Sequence, residues 1–237
     1  MLGRLLVLCV VGMVVASCSG TKVTTKLSPQ SSKYRVQRVA LVPFETMETP
    51  QAMQLDARTL PAPPGARASD ISVGIPTSSG MYEPAMSLVS PQAAEKVTDL
   101  MWSKLKAKPG LTILSPNEAV RAARELGSDA VSAVPPHKIA QRLDADAALT
   151  GKVLVYQERV GSRLGANPPA TVGFEVRLVA PDGAVLWEGN YYEKQRPMTE
   201  DFVGFIQRHG MFVTASELAS YGATRLAEEF PFGTAAQ

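Results

Sequence analysis

The hydrophobic pattern changes period several times along the chain, and each change predicts an element. Tyr34–Phe44 (YRVQRVALVPF) ends in a nearly continuous apolar run, the signature of a strand covered on both faces. Pro43 has no N–H for a ladder and therefore belongs at the strand's end. From Ser90 the period becomes helical. Ser90 is an N-cap, Pro91 takes the first helical position, and Ala94, Val97, Met101 and Leu105 fall on one face. Lys108-Pro109-Gly110 stops this helix, Leu111–Leu114 (LTIL) reads as a short strand, and Ser115-Pro116-Asn117-Glu118 opens the next helix with a capping box. A third, short helix starts at Pro136 with Ile139 and Leu143 facing inward.

The C-terminal half is richer in strands, over about 148–160, Thr171–Ala180 and Ala184–Lys194. Pro181-Asp182-Gly183 joins the last two as a hairpin. A three-residue loop sets Val176 against Glu188 and Arg177 against Trp187, which mixes the faces. A four-residue loop, with Ala180 opposite Val185, pairs Leu178 with Trp187, Phe174 with Tyr191, and Arg177 with Glu188 on the wet face. The second register makes one face wholly apolar, so Trp187 and Tyr191 are read as core. Thr199 then caps a helix ending near His209-Gly210, and Ser216–Phe230 forms a last helix with Leu218, Gly222 and Leu226 on one face. The apolar link between these two helices docks on the body.

Between these patterns lies 45–90, with Pro at 50, 61, 63, 64, 76 and 84 and one short alternation at Ile71, Val73 and Ile75. A loop of this length in a compact domain is functional or unstructured. The order of elements predicts an α/β (α+β) fold, a mixed sheet of about five strands with helices packed on it, as a single domain at 34–237 with a long Pro-rich loop at 45–90 after the first strand.

The N-terminus adds a location. Arg4 precedes roughly ten apolar residues, shorter than the about twenty of a membrane-spanning helix, so 1–17 reads as a secretory signal peptide. It ends in Val15-Ala16-Ser17-Cys18, which resembles the lipobox of bacterial lipoproteins, where the cysteine becomes the acylated first residue. The resemblance implies lipid attachment at Cys18, and Ser19 in place of Asp implies the outer membrane. Cys9 leaves with the signal, so no intrachain disulfide is expected. The polar stretch 18–33 reads as a flexible tether, at most about 50 Å when extended. The lipid on Cys18 is then the membrane attachment, with the domain held on the periplasmic face.

Composition narrows the chemistry. The formal net charge is +2, and only Arg4 among the charged residues leaves with the signal, so nothing points to nucleic acid. The chain has two histidines. His137 follows two prolines at a helix start and reads as a turn residue; His209 suits the negative end of a helix. No H-E-x-x-H, G-x-S-x-G, phosphate-binding loop or G-x-G-x-x-G occurs. Asp144 and Asp146 in LDADAAL lack the rest of a calcium loop and read as a solvated turn before a strand. The expectation is no catalytic residue, no metal site and no cofactor.

VALVPF, LTILSP, DADAALTGKVLVY and VGFEVRLVAPDGAVLWEG, in this order, resemble the periplasmic α/β domain shared by the curli-secretion channel lipoprotein, the penicillin-binding-protein activator lipoproteins and the N-terminal domain of the Tol-Pal propeller protein. The resemblance covers 34–44 and 91–194. It implies a noncatalytic protein that binds an envelope protein, assembles into rings or activates a synthase. The expected function is an accessory or assembly subunit of a cell-envelope complex, with an unidentified envelope protein as partner and a homo-oligomer possible. The alternative is a ring-forming subunit of an outer-membrane secretion channel. A transmembrane strand needs about nine to eleven alternating residues, and Ile71 to Ile75 supplies five, which argues against a barrel hairpin there.

Overall fold

Strand β2 (Arg38–Leu41) is central because its residues bury both of their faces. Val39 and Leu41 join one hydrophobic cluster, whereas Ala40 and Val42 join a second on the opposite side. The computed structural model describes residues 23–48, 51–52, 86–87, 89–166, 168–195 and 211–233. These form a single α/β domain on an open, mixed sheet of seven strands with four helices.

In chain order the elements are β1 (Val23–Leu27), a 3-10 turn (Pro29–Lys33), β2, β3 (Glu45–Thr46), β4 (Gln51–Ala52), β5 (Met86–Ser87) and α1 (Pro91–Lys106), followed by β6 (Thr112–Leu114) and α2 (Pro116–Glu125). After a second 3-10 turn (Val131–Ala133) come α3 (Pro136–Arg142), β7 (Ala147–Gln157), β8 (Thr171–Val179), β9 (Val185–Lys194) and α4 (Ala215–Glu229). The sheet order is β1-β9-β8-β7-β2-β6, with β3 added beside β7. β6, β2 and β7 run parallel, and β7, β8, β9 and β1 alternate in direction. β4 and β5 form a separate pair.

Helices α1 and α4 cover one face of the sheet with Val97, Met101, Leu105, Leu218 and Leu226. Helices α2 and α3 cover only the parallel part of the other face, through Ala119, Ala122, Ala123 and Ile139. The rest of that face is wet. One row across it runs Thr150, Arg177, Glu188, Lys26, and Arg177 Nε lies 3.3 Å from Glu188 Oε1.

The hairpin register is the predicted one in its interior, with Leu178 opposite Trp187, Phe174 opposite Tyr191 and Arg177 opposite Glu188. Trp187 and Tyr191 are buried as expected, 1% and 0% exposed. The end of the hairpin differs. The Ala180 N–H donates to Ala184 O at 2.8 Å, a three-residue loop, and the register shifts between Leu178 and Val179 so that Leu186 is the extra residue. A bulge thus reconciles a tight turn with the apolar face.

Three expectations change. The sheet has seven strands where about five were expected: β1, mostly exposed, and β3, two residues long, are the additions. The 18–33 tether is corrected over 23–33: Val23–Leu27 pairs with β9 along its whole length, and the 3-10 turn follows, so folded structure begins before residue 34. β1 is an edge strand whose Thr24, Thr25 and Lys26 are exposed, so no apolar alternation betrayed it. Asp146 is more than a solvated turn. Its Oδ2 accepts from the Gln37 and Arg38 N–H groups, each at 2.8 Å, which ties the start of β2 to β7. The Ile71–Ile75 alternation, the helix after Thr199 with His209, and the signal peptide lie outside the described residues.

Two helix starts carry reciprocal capping. The Ser115 N–H donates to Glu118 Oε2 at 2.7 Å, and the Thr214 N–H donates to Glu217 Oε2 at 2.7 Å. These backbone donors are the largest cause holding both carboxyls below the usual glutamate range. A depressed folded-state pKa contributes stability at neutral pH that is lost as pH falls through it. The urea midpoint is therefore expected to fall between about pH 5 and pH 3, and Glu118→Gln with Glu217→Gln is expected to flatten that part of the profile. A double variant with the unchanged slope would assign the acid sensitivity to other carboxylates.

Candidate functional site

The chain leaves β2 toward the face covered by α1 and leaves β6 toward the face covered by α2. Loops that diverge to opposite faces open a crevice beyond the carboxyl ends of the strands, the usual ligand position in open α/β sheets. Here the crevice is a groove of about 700 Å³ between the N-terminal ends of α1 and α2. Its floor contains Phe44, Ala94 and Thr98. Thr98 Oγ1 accepts from the Phe44 N–H at 2.9 Å and donates to Ala94 O at 2.7 Å, so one buried hydroxyl fixes the segment after β2 to α1. The Phe44 ring then lies against Gly151, where an added Cβ would come within 2.6 Å of the ring. Glycine on β7 is what lets the ring settle there.

Among the described residues four carboxylates line the groove and no Lys, Arg or His does. Glu45 and Glu48 come from the segment after β2; Glu95 and Asp99 lie one turn apart on α1. The opposite wall is Asn117, Val120, Val131 and Ser132. Glu45, Thr46 and Glu48 at the start of the Pro-rich segment and Pro91 just after its end all line the groove, so both ends of the segment meet there. A polar, acidic cleft with a small apolar floor suits a cationic segment of a partner better than a small molecule, which takes a more apolar pocket.

The groove is not legible in the sequence. Glu45 and Glu95 are fifty positions apart, and only the β2-α1-β6 crossover brings them together. The Pro-rich loop was the available signal, since it starts and ends there. The other candidates are not assembled into a site. His137 is half-buried at the start of α3, and Asp144 and Asp146 flank the entry to β7. Cys18 and His209 lie outside the described residues. Among the described residues no group of three or more His, Cys, Asp or Glu is placed to hold a metal, and no helix is long and apolar enough to cross a membrane.

The geometry defines an open mixed-sheet α/β domain with a groove at its strand carboxyl ends. No protein-family model matches the chain. No curated protein matches it either. Among solved structures it is similar to a PelC dodecamer from Paraburkholderia phytofirmans, with 13% identity and a TM-score of 0.43 over 86% of this chain and 92% of that one. It is also similar to lipoprotein GNA1162 from Neisseria meningitidis, with 15% identity and a TM-score of 0.36 over 73% of this chain and 96% of that one. A third similar structure is the hypothetical protein CT253 from Chlamydia trachomatis, at 11% identity and a TM-score of 0.39 over 81% and 96% of the two chains. At these scores the likeness is one of general arrangement, and no activity is carried over from it.

Proposed function

We propose that the chain is a noncatalytic lipoprotein, anchored through Cys18 in the outer membrane and facing the periplasm, that serves as an accessory or assembly subunit of a cell-envelope complex. The observation that carries this reading is the acidic groove framed by both ends of the Pro-rich segment. The lipobox supports the location, and β1 beginning five residues after Cys18 keeps the domain close to its membrane. The partner surface presented to the groove is basic, because the four carboxylates that line it among the described residues repel acidic surfaces and attract lysine or arginine.

The test is affinity capture of the intact lipoprotein from crosslinked, detergent-solubilised envelopes, beside a Glu95→Lys, Asp99→Lys variant. Both side chains are exposed on α1, so the variant is expected to keep its stability within about 0.5 kcal/mol. A defined envelope protein captured by the parent and lost from the variant is the expected result. The same proteins captured by both would remove the groove from the interaction.

A second reading, a ring-forming subunit of a secretion channel, is favoured by the open sheet. Among the described residues neither β1 nor β6 pairs outward, so both edges are free for neighbouring copies. Light scattering of the detergent-extracted protein separates the readings: a large closed assembly favours the ring, and a monomer counts against it.

A further inference from the structure

We propose that the tip of the β7–β8 connection is a second membrane contact, dipping its apolar side chains into the lipid surface beside the Cys18 anchor. This rests on the reading of Cys18 as acylated. Leu164 is 85% exposed and Val160 62%, the highest values among the exposed large hydrophobic residues of the described chain. The loop that presents them is braced. The Ser162 N–H donates to Gly165 O at 2.8 Å, Gly161 bridges to Ala166, and the Phe212 N–H donates to Arg163 O at 2.8 Å. A braced loop holding a leucine outward leaves its apolar surface uncovered among the described residues.

The position of the anchor says what that is. Val23 pairs with Tyr191, Tyr191 with Phe174, and Phe174 with Val153, so β1 begins level with Val153. β1 is antiparallel to β9, and β9 shares the direction of β7, so the chain reaches Val23 from the end of the sheet where β7 finishes. From Val153 to Gln157 is about 13 Å of strand. From Val23 back to Cys18 the chain reaches at most about 17 Å. An acyl chain seated in the bilayer at Cys18 therefore brings the loop beyond Gln157 to the headgroup level.

Charge does not drive this contact. Arg163 lies 3.3 Å from Glu217, and Glu158 beside Arg159 accepts from the Ala215 N–H. The tip is close to neutral, and the contact is expected to survive high salt, unlike a polybasic one.

The test uses the acylated full-length protein in vesicles of phosphatidylethanolamine and phosphatidylglycerol. With Cys9 removed and Cys18 acylated, Leu164→Cys provides a single thiol for an environment-sensitive fluorophore. Ser32→Cys, exposed in the 3-10 turn beyond the far end of β1, is the control. Expected at 164 are a blue shift and loss of most of the emission to a quencher carried on the lipid chains, unchanged in high salt, with neither at 32. Emission at 164 that is unquenched while the protein floats with the vesicles overturns the loop contact and leaves the anchor standing. A blue shift without lipid quenching also overturns it and assigns the tip to a contact between copies. A protein with no acyl mass at Cys18 that does not float removes the anchor reading and this proposal with it.

Discussion

Gly222→Ala is expected to lower the unfolding free energy of the domain by about 2 kcal/mol, although alanine is the better helix former. Gly222 lies in the interior of α4, where propensity alone favours alanine by about 1 kcal/mol. The space around it decides otherwise. A Cβ at 222 would fall 2.3 Å from Tyr191 Cδ1 and 2.5 Å from Cε1. The ring cannot swing away. Tyr191 is fully buried, packs against Phe174 at 5.4 Å between ring centroids, and donates its hydroxyl to Glu193 at 2.8 Å. Overpacking of this kind costs about 1–3 kcal/mol and more when the neighbour is fixed. Urea unfolding of the single and double variants checks it: Tyr191→Leu is expected to cost less in the Gly222→Ala background than alone, a coupling of about 1 kcal/mol. A more stable Gly222→Ala protein would mean that α4 can move off the sheet.

The same contact shows where the sequence was informative. Gly222 was legible as part of the inward face of the last helix, and Tyr191 as the inward face of the last strand. Periodicity alone places both on one core, because both faces are strongly apolar. Their direct contact is not legible, since it depends on how α4 crosses β9. Elements at the sheet edge were harder to read. β1 buries little, and its Thr and Lys residues alternate nothing, so strand and tether look alike there. Asp146 was misread for a related reason: its partners are the backbone N–H groups of Gln37 and Arg38, over a hundred positions away, and backbone donors leave no mark in a sequence. The acidic groove was hidden in the same way. Each of its carboxylates reads as an ordinary solvated charge until the parallel pairing of β2 with β6 places them around one opening.

Cys18→Ala carries the other large expected effect, the transfer of the protein from the membrane pellet to the soluble fraction with loss of incorporated fatty acid. Each buried methylene contributes about 0.8 kcal/mol, so one chain holds reversibly and several chains on one residue hold firmly. What remains without them is small. Val160 and Leu164 at the loop tip add at most about 1.5–3 kcal/mol each on full burial, too little for stable attachment. An uncleaved signal is the competing source of retention, and its roughly ten apolar residues fall short of a bilayer span. Mass measurement of the variant separates the two, because retained residues 1–17 are visible directly. A Cys18→Ala protein that stays in the pellet with its signal removed and no lipid attached would show that protein contacts hold the domain at the membrane. The groove and the sheet edges would then become the places to look for them.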